Sequence, residues 1–192
     1  MRNKLDLSKY QDWFDYFYQT KVKNIKKTKT LFVVDCDGVL TDGRHYYDVN
    51  GKFAKSYGSY DKEAISFLTK YCGDSIFFVS DDKAGLDITE QRMKHLSRSL
   101  NVGKQFGYAN MSPKERADFI TIKKIEGEFD EIVFIGDSLS DINAMSLADW
   151  VGTTKNAPHY MDDYVDYVSS LEGGKGGFAD IVFHYYEYYP FI

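Results

Sequence analysis

Cysteine, proline and histidine are all scarce in this chain. Among 192 residues there are two Cys, three Pro and four His. Cys36 and Cys72 fall into no CxxC or Cys/His spacing, so neither a disulfide framework nor a zinc module is indicated, and a reducing compartment, the cytoplasm, is expected. His45, His95, His159 and His184 are scattered without ligand spacing, which argues against a zinc site and against a histidine-based triad. The N-terminus has no apolar signal core, and no stretch approaches the ~20 apolar residues of a membrane span. Cations are also in the minority. With 24 Lys and Arg against 29 Asp and Glu the formal charge is -5, which argues against general nucleic-acid binding, where many phosphates must be neutralised.

Aromatic residues, by contrast, are abundant: 16 Tyr and 14 Phe in a composition 43% apolar and 28% charged. Such a chain is expected to form one sizeable core with an appendage. The appendage is residues 1-29. There Asp6-Leu7-Ser8 can cap a helix carrying Tyr10, Trp13, Phe14, Phe17 and Tyr18 on one face, and Lys21, Lys23, Lys26, Lys27 and Lys29 follow as a solvated helix end and linker. Residues 30-192 form the main domain.

Within that domain short apolar runs alternate with helical patterns. Leu31–Val34, Ser75–Val79 and Glu131–Ile135 read as strands buried on both faces, and Asp149–Gly152 as a fourth, shorter run. Helices are predicted from Asp61 to about Gly73, from about Lys83 to Leu100, after Ser112-Pro113-Lys114-Glu115, after Gly136-Asp137, and after the glycine run at 173–177. The third of these is expected to bury Ala117, Ile120 and Ile125. Asn50-Gly51 marks a two-residue turn, so a β-hairpin projects just after the first strand. The fold class is therefore α/β, a Rossmann-like parallel sheet with helices on both faces, a small hairpin flap and no cap domain.

In such a sheet, ligands sit beyond the carboxyl ends of the strands. Each long strand ends there in a polar residue: Asp35 with Asp37 after the first, Ser80 after the second, Asp137 with Asp141 after the third. Lys114 opens a helix on the same side. Several carboxylates converging on one point repel unless a cation sits among them, and an all-oxygen set suits Mg²⁺. A carboxylate beside Mg²⁺, a hydroxyl and a lysine fits phosphoryl transfer. Asp35 is then the nucleophile and Asp37 the acid and base; Ser80 and Lys114 hold the phosphoryl oxygens.

DCDGVLTDG, from Asp35 to Gly43, resembles the first motif of haloacid dehalogenase-like phosphatases, and Ser80, Lys114 and GDSLSD from Gly136 to Asp141 match the second, third and fourth in order. DGVLTDG followed by a hairpin, with no cap insertion and with GGKGG at 173–177, is most similar to the capless group. That group includes 3-deoxy-octulosonate phosphate phosphatases and relatives acting on nine-carbon sialic-acid-like phosphates. The resemblance covers about residues 30 to 190. It implies a catalytic domain over residues 30-192, with Mg²⁺ held by Asp35, the main-chain carbonyl of Asp37, and Asp137, Asp141 supporting. It further implies a sugar acid phosphate as substrate and a homotetramer whose neighbouring subunits close each site.

Departures accompany the match. Asp81 and Asp82 follow Ser80 where the group has Gly and a basic residue; Ser138 replaces a second Asp; and Lys175 stands where an Arg is usual, as a candidate contact to the substrate. A nucleotide or other small phosphomonoester is the alternative substrate, and a non-catalytic assembly module of sugar-nucleotide synthesis is the alternative of another class. Tyr46, Tyr47, Phe53 and Tyr57 of the hairpin can stack a base or pack against a neighbouring subunit.

Overall fold

The structure, a computed structural model, describes residues 7–23 and 28–188. Asp6, Lys26 and Lys27 of the expected cap and linker lie outside the described residues. Along the chain come α1 (Trp13–Phe17), β1 (Thr30–Asp35), β2 (Thr41–Asp48), β3 (Gly51–Tyr57), α2 (Asp61–Ser66), β4 (Ser75–Ser80) and α3 (Leu86–Leu100). They are followed by β5 (Phe106–Asn110), α4 (Pro113–Glu126), β6 (Glu131–Ile135), α5 (Ile142–Met145), β7 (Trp150–Thr153), β8 (Tyr167–Val168) and α6 (Gly177–Tyr188).

Six strands make one sheet in the order β5-β4-β1-β6-β7-β8, with every neighbouring pair parallel. β1 is buried along its whole length, because it sits between β4 and β6 and is covered on both faces. The pleat divides its side chains: Phe32 and Val34 join the core beneath α2, α3 and α6, while Leu31 and Val33 join the core beneath α4 and α5. The chain runs outward from β1 through β4 to β5, then crosses back over β1 to β6. The crevice at the carboxyl ends of these strands is the switch point where such sheets bind ligands. This is the α/β architecture expected from the sequence.

The aromatic stripe of the N-terminal segment packs onto the body. Trp13, Phe14 and Phe17 meet Phe183 of α6, and Phe17 also meets Phe67. The cap of this helix is Asp12, whose side chain accepts from the Asp15 amide.

Two local expectations shift. The hairpin turn comes one residue early: Asp48 pairs with Gly51, leaving Val49 and Asn50 at the tip. Asp48 Oδ1 accepts from the Asn50 amide at 2.8 Å, an Asx turn that draws the loop toward Asp48. On α4, Arg116 and Ile120 are the buried residues, while Ile125 is 80% exposed. The helix is rotated from the phase that its aliphatic residues suggest, with a consequence for Lys114 described below.

Candidate active site

Asp35 is the last residue of β1, and its carboxylate is almost wholly buried. It lies with Asp137 and Asp141 in a group whose carboxylate oxygens fall within 4.8 Å of one another. Asp35 Oδ1 accepts no well-aligned hydrogen bond and is met by the Arg116 guanidinium through an ion pair at 3.1 Å. Burial, first of all, and then the charge of Asp141 push the Asp35 pKa well up, against the pull of Arg116. Burial together with the charges of Asp141 and Asp37 likewise lifts Asp137 to about 7. Clustered acids of this kind, largely buried and with the pKa values of Asp35 and Asp137 raised, fit a hard divalent cation bound through oxygen.

The loop from Cys36 to Leu40 brings these groups together. Gly38 has φ +91, and a Cβ there would lie 1.8 Å from Asp137 Oδ2, so only glycine lets the first acidic loop lie against the aspartate that follows β6. The loop is pinned from several sides. Thr41 Oγ1 accepts from the Gly38 amide at 3.1 Å, while Thr154 Oγ1 and Asn156 Nδ2 donate to the Gly38 carbonyl at 2.9 and 3.0 Å. The late glycine run closes over the same backbone: a Cβ on Gly173 would stand 2.0 Å from the Gly38 carbonyl oxygen. That packing gives a physical reason for the first two glycines of GGKGG, Gly173 and Gly174.

Asp37 faces the other way, toward the hairpin. Ser80 Oγ donates to Asp37 Oδ2 at 3.0 Å. Lys55 of β3, with no side-chain exposure, places Nζ 2.8 Å from Asp37 Oδ1 and 2.8 Å from Asp82 Oδ2. Lys52 adds a second ammonium 2.6 Å from Asp82 Oδ2. Burial would raise the Asp82 pKa, yet the two lysines outweigh it and hold it down to about 2. The pair of extra acids after Ser80 is thus resolved in space: Asp81 is exposed, and Asp82 is neutralised by cations from the flap. Beside Ser80 in register, Asn110 ends β5 and its buried Nδ2 has no hydrogen-bond partner.

Not every expected residue arrives. Asp35, Asp37, Ser80, Asp137 and Asp141 converge. Lys114 does not: its side chain is 84% exposed and Nζ lies 2.5 Å from Asp118 Oδ2. In its stead Arg116, 3% exposed, has Nη1 3.1 Å from Asp35 Oδ1 and hydrogen-bonded to Asp141 Oδ1. Asp141 Oδ2 accepts from the amides of Asp137 and Ser138, each at 3.2 Å. Asp141 therefore braces the loop and Arg116 more than it offers a free oxygen. Lys175 is 66% exposed and paired with Glu172 at 2.6 Å. Arg116 and Lys55 escape a reading by strand ends, since neither stands at the end of a β-strand, whereas Thr154 and Asn156 follow the short β7, outside the long strands whose ends carry the expected residues. Arg116 could have been suspected as the charged member of the stripe it shares with Ile120.

No protein-family model matches the chain. Over 163 residues it is 31% identical to the 3-deoxy-D-manno-octulosonate 8-phosphate phosphatase KdsC of Haemophilus influenzae, covering 85% of this chain and 83% of that one. The chain belongs to the KdsC family of haloacid dehalogenase-like phosphatases. Among solved structures, the cobalt-bound deoxy-D-mannose-octulosonate 8-phosphate phosphatase of H. influenzae superposes with a TM-score of 0.65 at 25% identity, covering 80% of this chain and 85% of that one. The Moraxella catarrhalis 3-deoxy-D-manno-octulosonate 8-phosphate phosphatase, in complex with magnesium, phosphate and KDO, shares the fold. Its TM-score is 0.64 at 22% identity, over 87% of this chain and 88% of that one. Membership of the KdsC family makes this chain a phosphatase, which sets aside the non-catalytic alternative.

Proposed function

We propose that this Mg²⁺-dependent phosphatase hydrolyses a 3-deoxy keto sugar acid phosphate, an octulosonate or nonulosonate, through an aspartyl-phosphate intermediate. The observation that carries the reading is the position of Asp35: a buried carboxylate set among Asp137, Asp141 and Arg116 at the switch point of the sheet. Asp35 attacks phosphorus and the phosphorus–oxygen bond to the alcohol breaks. Asp37 gives a proton to the departing oxygen and later takes one from the water that splits the acyl phosphate. Ser80 holds a phosphoryl oxygen. Asp35 and Asp137 would hold Mg²⁺, with the Asp37 carbonyl, and Asp141 supports them; the ion supplies neutralisation of phosphoryl charge.

The names of the relatives support the sugar acid. Nucleotides are the second reading, favoured by Tyr47 and Phe53, which stand 61% and 59% exposed on the flap. Residues 30-192 are read as the catalytic domain and 1-29 as an extension. Among the described residues no helix is long and apolar enough to cross a membrane; a cytoplasmic homotetramer, its flaps packed between subunits, completes the proposal.

A phosphate-release screen over sugar acid phosphates, nucleotides and simple sugar phosphates, with and without Mg²⁺, tests it. Asp35→Asn is expected to lower turnover by about a thousandfold or more, since an amide is a poor nucleophile. Wild-type turnover in that variant sinks the mechanism, and a preference for nucleotides turns the substrate to the second reading.

A further inference from the structure

We infer that Arg116, not Lys114, is the cation that positions the nucleophilic carboxylate of this enzyme. The inference rests on Asp35 being the nucleophile. Three observations lead to it.

The first is occupancy. Nη1 of Arg116 lies 3.1 Å from Asp35 Oδ1 and donates to Asp141 Oδ1, while Nε donates to the Met111 carbonyl at 3.2 Å. The guanidinium is thus held at both ends, and its planar fork spans two carboxylates as a single ammonium does not. The Lys114–Asp118 pair is exposed and of little strength. It does not by itself keep Lys114 away; the place beside Asp35 is already taken.

The second is helix phase. Residues two apart on a helix point about 200° away from each other, so an inward Arg116 turns Lys114 outward. The phase is set by groups unrelated to the site. Ser112 and Glu115 form a reciprocal capping box with Pro113 at the first position; Ile120, four residues on from Arg116, is fully buried; and Phe119 packs on Phe77 with centroids 4.6 Å apart. Turning Lys114 inward would draw Ile120 out of its core.

The third is charge. Asp35, Asp137 and Asp141 face one another and Asp37 is turned to the hairpin beside them, with two buried cations among the described side chains around the four, Arg116 and Lys55. Lys55 serves Asp37 and Asp82, leaving Arg116 as the protein's own counter-charge on the Asp35 side. Through Asp141, whose other oxygen holds the Asp137 and Ser138 amides, Arg116 also ties the nucleophile to the loop that carries Asp137. It is a positioning residue: it orients Asp35 and fixes the distance between two loops.

The test compares wild type, Asp35→Asn, Lys114→Ala, Arg116→Lys and Arg116→Ala in steady-state phosphate release with Mg²⁺. Circular dichroism checks each fold, and Arg116→Ala is repeated with millimolar guanidinium. Lys114→Ala is expected to stay within about threefold of wild type in both kcat and KM. Arg116→Ala should lose about a hundredfold in kcat with a smaller change in KM. Guanidinium should restore about tenfold or more of that loss, and Arg116→Lys should fall between. A hundredfold loss in Lys114→Ala, wild-type kcat in a folded Arg116→Ala, or no rescue by guanidinium overturns the inference while leaving Asp35 as nucleophile. Turnover in Asp35→Asn removes the reading beneath it, and the inference with it. Lys114→Ala changes only an exposed side chain, so its result stands even where Arg116→Ala fails to fold.

Discussion

Asp35, Asp137 and Asp141 meet one another at or just past the ends of adjacent parallel strands, whereas Asp37, Ser80 and Asp82, also at or just past strand ends, are met by a hairpin that reaches in from outside the sheet. The first side is rigid by construction. β1 and β6 share a continuous hydrogen-bonded register, the Gly38 turn has no room for a Cβ, and Arg116 is anchored to a helix on the core. The second side depends on charge. Lys52 and Lys55 cross from β3 to Asp82 and Asp37, and these contacts dock the flap where packing does little, since Tyr46, Tyr47 and Phe53 of the same hairpin remain exposed. A strand end can place a carboxylate to within a fraction of an ångström, while a flap held by ion pairs can open to admit substrate.

The sheet side should break most sharply at Gly38. Gly38→Ala puts a side chain at positive φ, at about 1–3 kcal/mol. It also drives Asp137 from its place, and a displacement of that size costs about a hundredfold or more in Mg²⁺-dependent turnover. Kinetics paired with denaturant unfolding would show it, and unchanged turnover would mean that the close approach of the two loops is not needed.

On the flap side, Lys55→Met leaves Asp37 and Asp82 facing each other without their shared ammonium. A loss of about 3–5 kcal/mol is expected in urea unfolding; less than about 1 kcal/mol would mean that the flap is not held by this charge.

The mildest change is Asp82→Asn. Asp82 has a folded pKa of about 2 against an ordinary 3.8, so its ion pairs stabilise the fold above pH 3.8, and that contribution is lost as pH falls from there through about 2. The wild type should therefore be more stable than Asp82→Asn at neutral pH by about 1–3 kcal/mol, with the gap closing on acidification across that window. Thermal unfolding at several pH values measures it, and a constant gap would show that the lysines do not hold Asp82.

Much of this was legible in the chain. A continuous apolar strand can only be buried on both faces, so Leu31–Val34 already placed Asp35 at an interior strand end, and the order of Ser80, Asp137 and Asp141 behind similar strands placed a hydroxyl and the other acids. The capping box at Ser112 was readable because its chemistry is local. Lys114 illustrates the limit. Its motif position was visible, but whether a helix-start lysine points in or out depends on which of Ile120, Ile122 and Ile125 meets the sheet, and their spacing allows more than one phase. Lys55 and Asp82 lie 27 residues apart in sequence, and nothing local pairs them; the hairpin's bulged register decides which lysines look inward. Asn50-Gly51 signalled a hairpin correctly, while Asp48 shifted its tip by one residue.

By itself the sequence determined the alternating α/β order, the acids at the strand ends and the family to which they belong, because strand periodicity, capping and short motifs are properties of neighbouring residues. Only the tertiary structure decided which cations serve those acids. Arg116 in place of Lys114, and Lys52 and Lys55 against Asp82, follow from helix phase and hairpin register, and these are set by packing between segments far apart in the chain.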